Sequence, residues 1–297
     1  MIEKQRHPEL ARNLQKENKN WWTRNPMSYD WHGSNSYEEG TAEFFKEIDS
    51  RFFNSSPLFE GSQPFGRFIP FPELKGKRVL EIGCGLGSHS QLLAEAGCRL
   101  SSIDLTTRAV ALTKRRLELR KLPAEVIEMD GENMAFGDDE FDFVWSWGVI
   151  HHSAHTDQIV REVARVLKPG GQFRLMVYNR RAFDSYIKLV RGFATGKFFS
   201  GMSTDEILSY YTDGFIARFY NQKSLKTLLE ANGLRLVSVT ALGQTSELVP
   251  LPGTGLSGSL KYGIVSRIPD AFASSLLYRT GSFLFAVATL DNSQHQS

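Results

Sequence analysis

Apolar positions along this chain fall into two textures that meet near Lys75. Beyond that point, short apolar runs alternate with segments whose apolar residues recur every three to four positions. This is the pattern of buried parallel strands joined by amphipathic crossover helices. "RVLEI" (78–82), "RLSSID" (99–104), "AEVIEMD" (124–130), "FDFVWSWG" (141–148) and "QFRLMVYN" (172–179) read as strands. "LRLVSVTAL" (234–242) and "SFLFAVATL" (282–290) read as a closing pair. Helices are predicted over "SQLLAEAG", ending at Gly97, over 106–120 with Thr106 as N-cap, and over 221–233. A further helix is predicted over 156–171, with an acidic start, a basic last turn and a Pro-Gly-Gly stop.

Two stretches interrupt the alternation. Residues 180–220 carry two predicted helices, the second opening on a capping box from Ser203 to Glu206, and 243–281 separate the last two strands. Ahead of Lys75 the chain is polar and rich in aromatics. A helix is predicted over 35–53, with Phe44, Phe45, Ile48 and Phe52 on one face, followed by an extended connector containing four prolines. The expected organisation is therefore a cap and connector over 1–74 and an α/β domain over 75–297, with a lid insertion at 180–220 and a second insertion at 243–281.

Composition narrows the class of partner. With 297 residues, 41% hydrophobic and 23% charged, the chain has the profile of a soluble globular protein. A net charge of +2 speaks against bulk attraction to nucleic acid. The two cysteines, Cys84 and Cys98, cannot make a disulfide framework and suit a reducing compartment. The charged N-terminus has no signal-like apolar core, and apolar runs such as 283–290 are too short to span a bilayer. A cytoplasmic protein without integral membrane association is expected.

The candidate chemistry starts at "VLEIGCGLG", where Gly83, Gly85 and Gly87 stand between a strand and a helix. Glycines there allow a tight reversal and bring a ligand against bare backbone, while the helix N-terminus favours negative charge. A dinucleotide fingerprint would need glycine where the chain has Ser88, and Glu81 would repel a pyrophosphate. Asp104 and Asp130 end the next two strands, where carboxylates accept from ribose hydroxyls and from an adenine amino group. The three carboxylates suit a ligand with ribose, adenine and positive charge but no phosphate; S-adenosylmethionine answers to that description. An NAD-dependent oxidoreductase and a cofactor-binding module without catalysis stand as alternatives.

Together, "VLEIGCGLG", "SID", "EMDGENMAF", "FDFVWSWGVIHH" and "REVARVLKPGG" resemble the class I S-adenosylmethionine-dependent methyltransferases, close to the type-11 group of small-molecule enzymes. The resemblance covers about 75–180. It implies a Rossmann-like, seven-stranded, mostly parallel sheet with an antiparallel last strand and helices on both faces. It also implies that Glu81, Gly83, Cys84, Gly85 and Gly87 line the methionine and ribose portions of the cofactor. Asp104 would then hold the ribose hydroxyls, Leu105 would lie beside the adenine, Asp130 and Gly131 would meet the adenine edge, and the backbone around Trp147 would face the methionine amino group.

On the acceptor side, "IHHSAH" places three of the chain's seven histidines after the fourth strand. His151 and His155 have a metal-ligand spacing, but no third or fourth ligand accompanies them, so no metal is expected. His151 and His152 are instead candidates for taking the acceptor's proton, or for packing. Tyr178, Tyr210, Tyr211 and Tyr220 are candidates to bind the substrate, or to seal the lid onto the sheet. The tryptophan-rich "NWWTRNPMSYDW" covers the cofactor, lines the acceptor pocket, or packs in a dimer contact. The expected reaction is methyl transfer to a small molecule, with oxygen or nitrogen favoured over carbon as acceptor atom. A homodimer is a possible assembly.

Overall fold

A computed structural model of the chain describes residues 8–29, 36–54, 63–249, 251 and 255–290. The first part contains α1 (Pro8–Arg24), α2 (Ala42–Asn54) and a short turn of helix, α3 (Phe71–Leu74). Then follow β1 (Arg78–Ile82), α4 (Ser88–Glu95), β2 (Arg99–Asp104), α5 (Thr107–Arg120), β3 (Glu125–Glu128) and β4 (Phe141–Trp147). After a turn of 3-10 helix at Ile150–His152 come α6 (Thr156–Val166), β5 (Leu167–Asn179), α7 (Phe183–Ala194) and α8 (Thr204–Tyr210). The chain closes with β6 (Phe219–Tyr220), α9 (Gln222–Glu230), β7 (Leu234–Leu242), α10 (Gly255–Val265), α11 (Asp270–Thr280) and β8 (Phe283–Leu290). Among the described residues, no helix is long and apolar enough to cross a membrane.

The strands form one sheet in the order β3-β2-β1-β4-β5-β8-β7, with β6 paired to the end of β5. The first five strands run parallel, and β8 is antiparallel to both of its neighbours. The central strands β1, β4 and β8 are buried on both faces over most of their length, which explains their nearly continuous apolar runs, whereas the edge strands β3 and β7 are partly exposed. Val79, Leu100, Phe143 and Trp145 face a layer containing Leu93 of α4 and Val110 and Leu117 of α5. Leu80, Ile103 and Val144 face the opposite layer, with Ile159 and Val163 of α6 and Leu225 and Leu229 of α9.

Seven expected strands and the 106–120 and 221–233 helices are present, the helices capped by Thr106 and Asn221. Three features differ from expectation. The helix expected to run to Gly171 ends at Val166, because Pro169 lacks the N–H that a helix interior needs; residues 167–171 instead enter β5 through a register shift opposite Phe141 and Phe143. The long helix α1 escapes a periodicity reading because most of its side chains are polar and the few apolar ones form no continuous stripe, and β6 has only two residues. The expected helix over 35–53 begins at Ala42, and Asn35 lies outside the described residues.

One buried cation ties the flanking helices to the start of α4. Arg116 on α5 donates to Gln91 Oε1 (2.9 Å), Ser88 Oγ (3.2 Å) and the Leu86 carbonyl (3.3 Å), and pairs with Asp49 on α2. Removing it takes from the mostly buried Asp49 its charged partner, leaving the Ser88 hydroxyl (2.9 Å) as its donor, and leaves the Leu86 carbonyl without the guanidinium N–H. Arg116→Ala is therefore expected to lower stability by about 3 kcal/mol in denaturant unfolding.

Candidate active site

Parallel strands deliver their carboxyl ends to one edge of the sheet, and there a cavity of about 580 Å³ opens. Its floor is the turn from β1 to α4. Gly83 has φ +83°, and a Cβ on it would overlap the Val149 side chain, so only glycine fits. The N–H groups of Gly83 and Cys84 both donate to the Ile103 carbonyl (2.8 and 3.1 Å), locking the end of β1 to the end of β2. Gly85 presents bare backbone to the cavity, with open space beside its Cα.

The two carboxylates beyond β2 and β3 face the same space. Asp104 accepts from the Gly85 N–H (3.1 Å) and from the N–H and hydroxyl of Thr106 (2.9 Å each). Asp130 accepts from the Glu132 N–H (2.9 Å) and from Gln15 Nε2 (3.0 and 3.2 Å). Burial raises the pKa of both. Leu105, Gly131 and Cys84 also line the cavity, and burial holds the Cys84 thiol protonated. Trp147 forms a wall, stacked on Trp145 at 5.6 Å, whereas Trp145 itself is core. Glu81 and Gly87, expected with this group, do not line the cavity. Glu81 lies on the β1 face that packs on α4, and its carboxylate accepts from Ser90 Oγ and from Ser102 Oγ (2.7 Å). Gly87 caps α4 against Thr113 and Arg116.

Helix α1 covers this half. Besides Gln15, which also accepts from the Ala154 N–H (3.1 Å), Lys19 pairs with Glu128 at 2.6 Å. Asn18 is buried at the cavity wall, with Oδ1 lacking a partner among the described residues. Trp22 lines the cavity and meets the His152 ring edge-on at 4.9 Å. Trp31 lies outside the described residues.

The histidines separate sharply. His151 is fully buried between the rings of His152 and Tyr178, and it does not line the cavity. His155 pairs with Glu132 at 3.0 Å. His152 lines the cavity, with Nδ1 2.6 Å from the Ile216 carbonyl. A carbonyl only accepts, so Nδ1 carries the proton and Nε2 the lone pair. Nε2 has no partner among the described residues, and burial lowers the ring's pKa to about 4.

Of the four candidate tyrosines, Tyr178 and Tyr211 line the cavity. Tyr210 instead faces solvent beneath Lys197, and Tyr220 bonds with Thr156. The same end is lined by groups that the sequence reading missed: Asp184 and Lys188 (paired at 2.7 Å), Asp213, Gln244, Glu247 and Ser282. Glu247 accepts from the N–H groups of Gln244 (2.7 Å) and Ser282 (2.9 Å) and from the Ser282 hydroxyl (2.7 Å); burial pushes it up to about 7. In the sequence its one local signal is its position three residues after Gln244, which marks only a helix cap.

The lining thus includes five carboxylates against one ammonium, Lys188. A pyrophosphate would meet net repulsion there, and a sulfonium with an amino group would not. Bare backbone at Gly85, the carboxylates of Asp104 and Asp130, and the unpartnered Asn18 oxygen all fit an adenosyl ligand bearing positive charge.

Residues 80–175 match the family model described as methyltransferase domain. Over 169 residues the chain is 26% identical to the ubiquinone biosynthesis O-methyltransferase of Coxiella burnetii, covering 57% of this chain and 68% of that one. With the protein of the same name from Aromatoleum aromaticum, the identity is 29% over 178 residues, 59% of this chain and 76% of that one. A solved structure from Pyrococcus horikoshii, at 15% identity, superimposes with a TM-score of 0.52 over 88% of this chain and 98% of that one, a likeness of fold. Fold, cavity and family match together define a class I S-adenosylmethionine-dependent methyltransferase, with S-adenosylmethionine as its cofactor. Within that class, residues 80–175 are similar to the type-11 group.

Glu81 carries a consequence for stability. Its folded pKa is raised from about 4.5 to about 7 by burial, so the folded state holds the proton more tightly than the unfolded chain. That contribution is complete below pH 4.5 and is lost as pH rises through 7. Between pH 5 and 8, Glu81→Gln should therefore gain on the wild type by up to about 3 kcal/mol in denaturant unfolding. Parallel pH profiles for the two proteins would contradict this.

Proposed function

We propose that this enzyme methylates a hydroxyl group on a small ring-bearing acceptor, with residues 1–74 capping the cofactor half of the cavity and 180–220 forming a lid over the acceptor half. The observation carrying this reading is His152, which lines the cavity immediately after β4 with Nδ1 held by the Ile216 carbonyl and Nε2 left without a partner among the described residues. Aromatic walls from Tyr178, Tyr211, Phe219 and Phe283 suit a ring. The relatives named O-methyltransferases support oxygen as the acceptor atom.

The cofactor supplies a sulfonium methyl group for in-line displacement by the acceptor oxygen. In this reading Asp104 accepts from the ribose hydroxyls, Asp130 and Gly131 meet the adenine edge, with Leu105 beside the ring, and Gly83 and Gly85 let the ligand lie on backbone. Gln15 must share or release Asp130 when the adenine arrives. His152 is neutral at any working pH; its Nε2 accepts the hydrogen bond of the reacting hydroxyl and receives the proton as the oxygen is methylated. His151, walled off from the cavity, fixes the ring of its neighbour.

Glu247 serves a different place. The sheet runs β4-β5-β8-β7, so at about 4.8 Å per strand the start of β8, where Ser282 holds the Glu247 carboxylate, lies roughly 10 Å from the end of β4. Glu247, Gln244 and Lys188 therefore hold the far end of the acceptor, while His152 holds the reacting hydroxyl.

The two roles separate in kinetics with a hydroxylated aromatic acceptor. His152→Ala should lower kcat about a hundredfold with unchanged calorimetric affinity for S-adenosylhomocysteine. Glu247→Gln should raise the acceptor KM and leave kcat within severalfold. Asp104→Ala should abolish measurable binding of S-adenosylhomocysteine. Full activity of the His152 variant, or product mass spectra placing the methyl group on nitrogen or carbon, would overturn the hydroxyl reading.

A further inference from the structure

Helix α7 is folded with its apolar side outward. The residues that turn inward are Ser185 and Gly192, both buried, with Lys188 and Leu189 half-buried between them. This spacing of three and four positions marks one helical face. At Gly192 a Cβ would lie 2.5 Å from Ile207 Cγ2, so α8 packs on bare backbone and needs no apolar side chain from α7. The opposite stripe is Phe183, Tyr186, Ile187, Val190 and Phe193. Tyr186 is 56% exposed, Val190 68% and Phe193 61%, and Phe199 in the following turn is 79% exposed. A helix that stabilised only this fold would place its large apolar side chains against the body. At the neighbouring rim, Lys261 of α10 feels the charges of Asp184 and Glu247, and α10 exposes Leu260 and Ile264.

Charge identifies what covers this face. Residues 180–199 hold Arg180, Arg181, Lys188, Arg191 and Lys197 against a single acid, Asp184, in a chain whose whole net charge is +2. Arg181, Arg191 and Lys197 have no carboxylate partner among the described residues; Arg191 and Lys197 lie over the rings of Tyr211 and Tyr210. A second copy meeting this face across a twofold axis would set these cations against their own equivalents. An anionic surface would neutralise them.

We propose that α7 and the α10 rim dock this enzyme onto a bilayer containing anionic phospholipids. The twelve-residue helix lies in the plane of the interface, its apolar stripe at the acyl boundary and its cations among the headgroups. Because Asp184, Ser185 and Lys188 line the cavity from the inner side of the same helix, docking sets the acceptor half of the cavity beside the lipid. This inference goes beyond the hydroxyl reading and is tested without turnover.

The test is flotation of the full chain with phosphatidylcholine vesicles and with mixed phosphatidylcholine–phosphatidylglycerol vesicles at low salt. The wild type should float with the mixed vesicles and not with phosphatidylcholine alone. V190E/F193E/F199E, which changes no cavity residue, should lower the bound fraction about tenfold or more while binding S-adenosylhomocysteine as the wild type does. If the triple variant loses that binding, Phe199→Glu alone provides the same readout. Absence of flotation with anionic vesicles, or equal flotation of a folded variant, would overturn the proposal. So would a variant that converts a dimer to a monomer without changing vesicle binding.

Discussion

The active site depends on a single crossing of backbone. Where β1 ends, the N–H groups of Gly83 and Cys84 share the carbonyl of Ile103, and Val149 presses on the Cα of Gly83. This locks the ends of β1, β2 and β4 into one rim. Asp104 then accepts from the N–H of Gly85, so this cavity-lining carboxylate and the bare backbone wall hold each other in place. Arg116, buried under the same turn, closes the arrangement from the helical side. Changes in any of these groups propagate to the cavity because the turn has no slack. Only a residue without Cβ can pass between β1 and Val149.

Electrostatics at this rim are arranged for a guest. Asp104, Asp130 and Glu247 are all pushed toward the protonated state by burial, and few cations of the chain itself relieve them. A positively charged cofactor entering the cavity supplies what the protein omits, so burial of acids here serves binding and not stability. His152 follows the opposite logic: burial keeps its ring neutral, and the Ile216 carbonyl decides which nitrogen keeps the lone pair.

The flanking segments complete a site that the sheet only begins. Helix α1, polar over most of its length, is held by what its polar side chains can reach: Gln15 to Asp130 and Ala154, and Lys19 to Glu128. Its polarity, which hides it from an apolar-periodicity reading, is the means by which it grips the strand ends. Helix α7 has the inverse design. A small, polar inner face borders the cavity while a large apolar outer face meets whatever lies outside.

What could be read from the sequence was local. Strand and helix periods, the Thr106 and Ser203 caps, the strand–glycine–helix turn and the acids closing β2 and β3 all depend on neighbours a few residues apart. They sufficed for the fold class, the cofactor and most of the expected residues that line the cavity. Glu81 and Gly87 were placed beside the cofactor because they belong to that turn, yet the pleat and the packing of α4 and α5 turn them away. His151 and His152 are adjacent and chemically alike; only a carbonyl 64 residues further along, at Ile216, distinguishes them. Tyr210 and Tyr211 differ in the same manner, and Glu247 enters the cavity only because Ser282 is brought beside it by the pairing of β7 with β8. The outward face of α7 follows from Ile207 filling the space above Gly192. Local spacing determined which residues share a face, and tertiary packing alone decided which face looked inward.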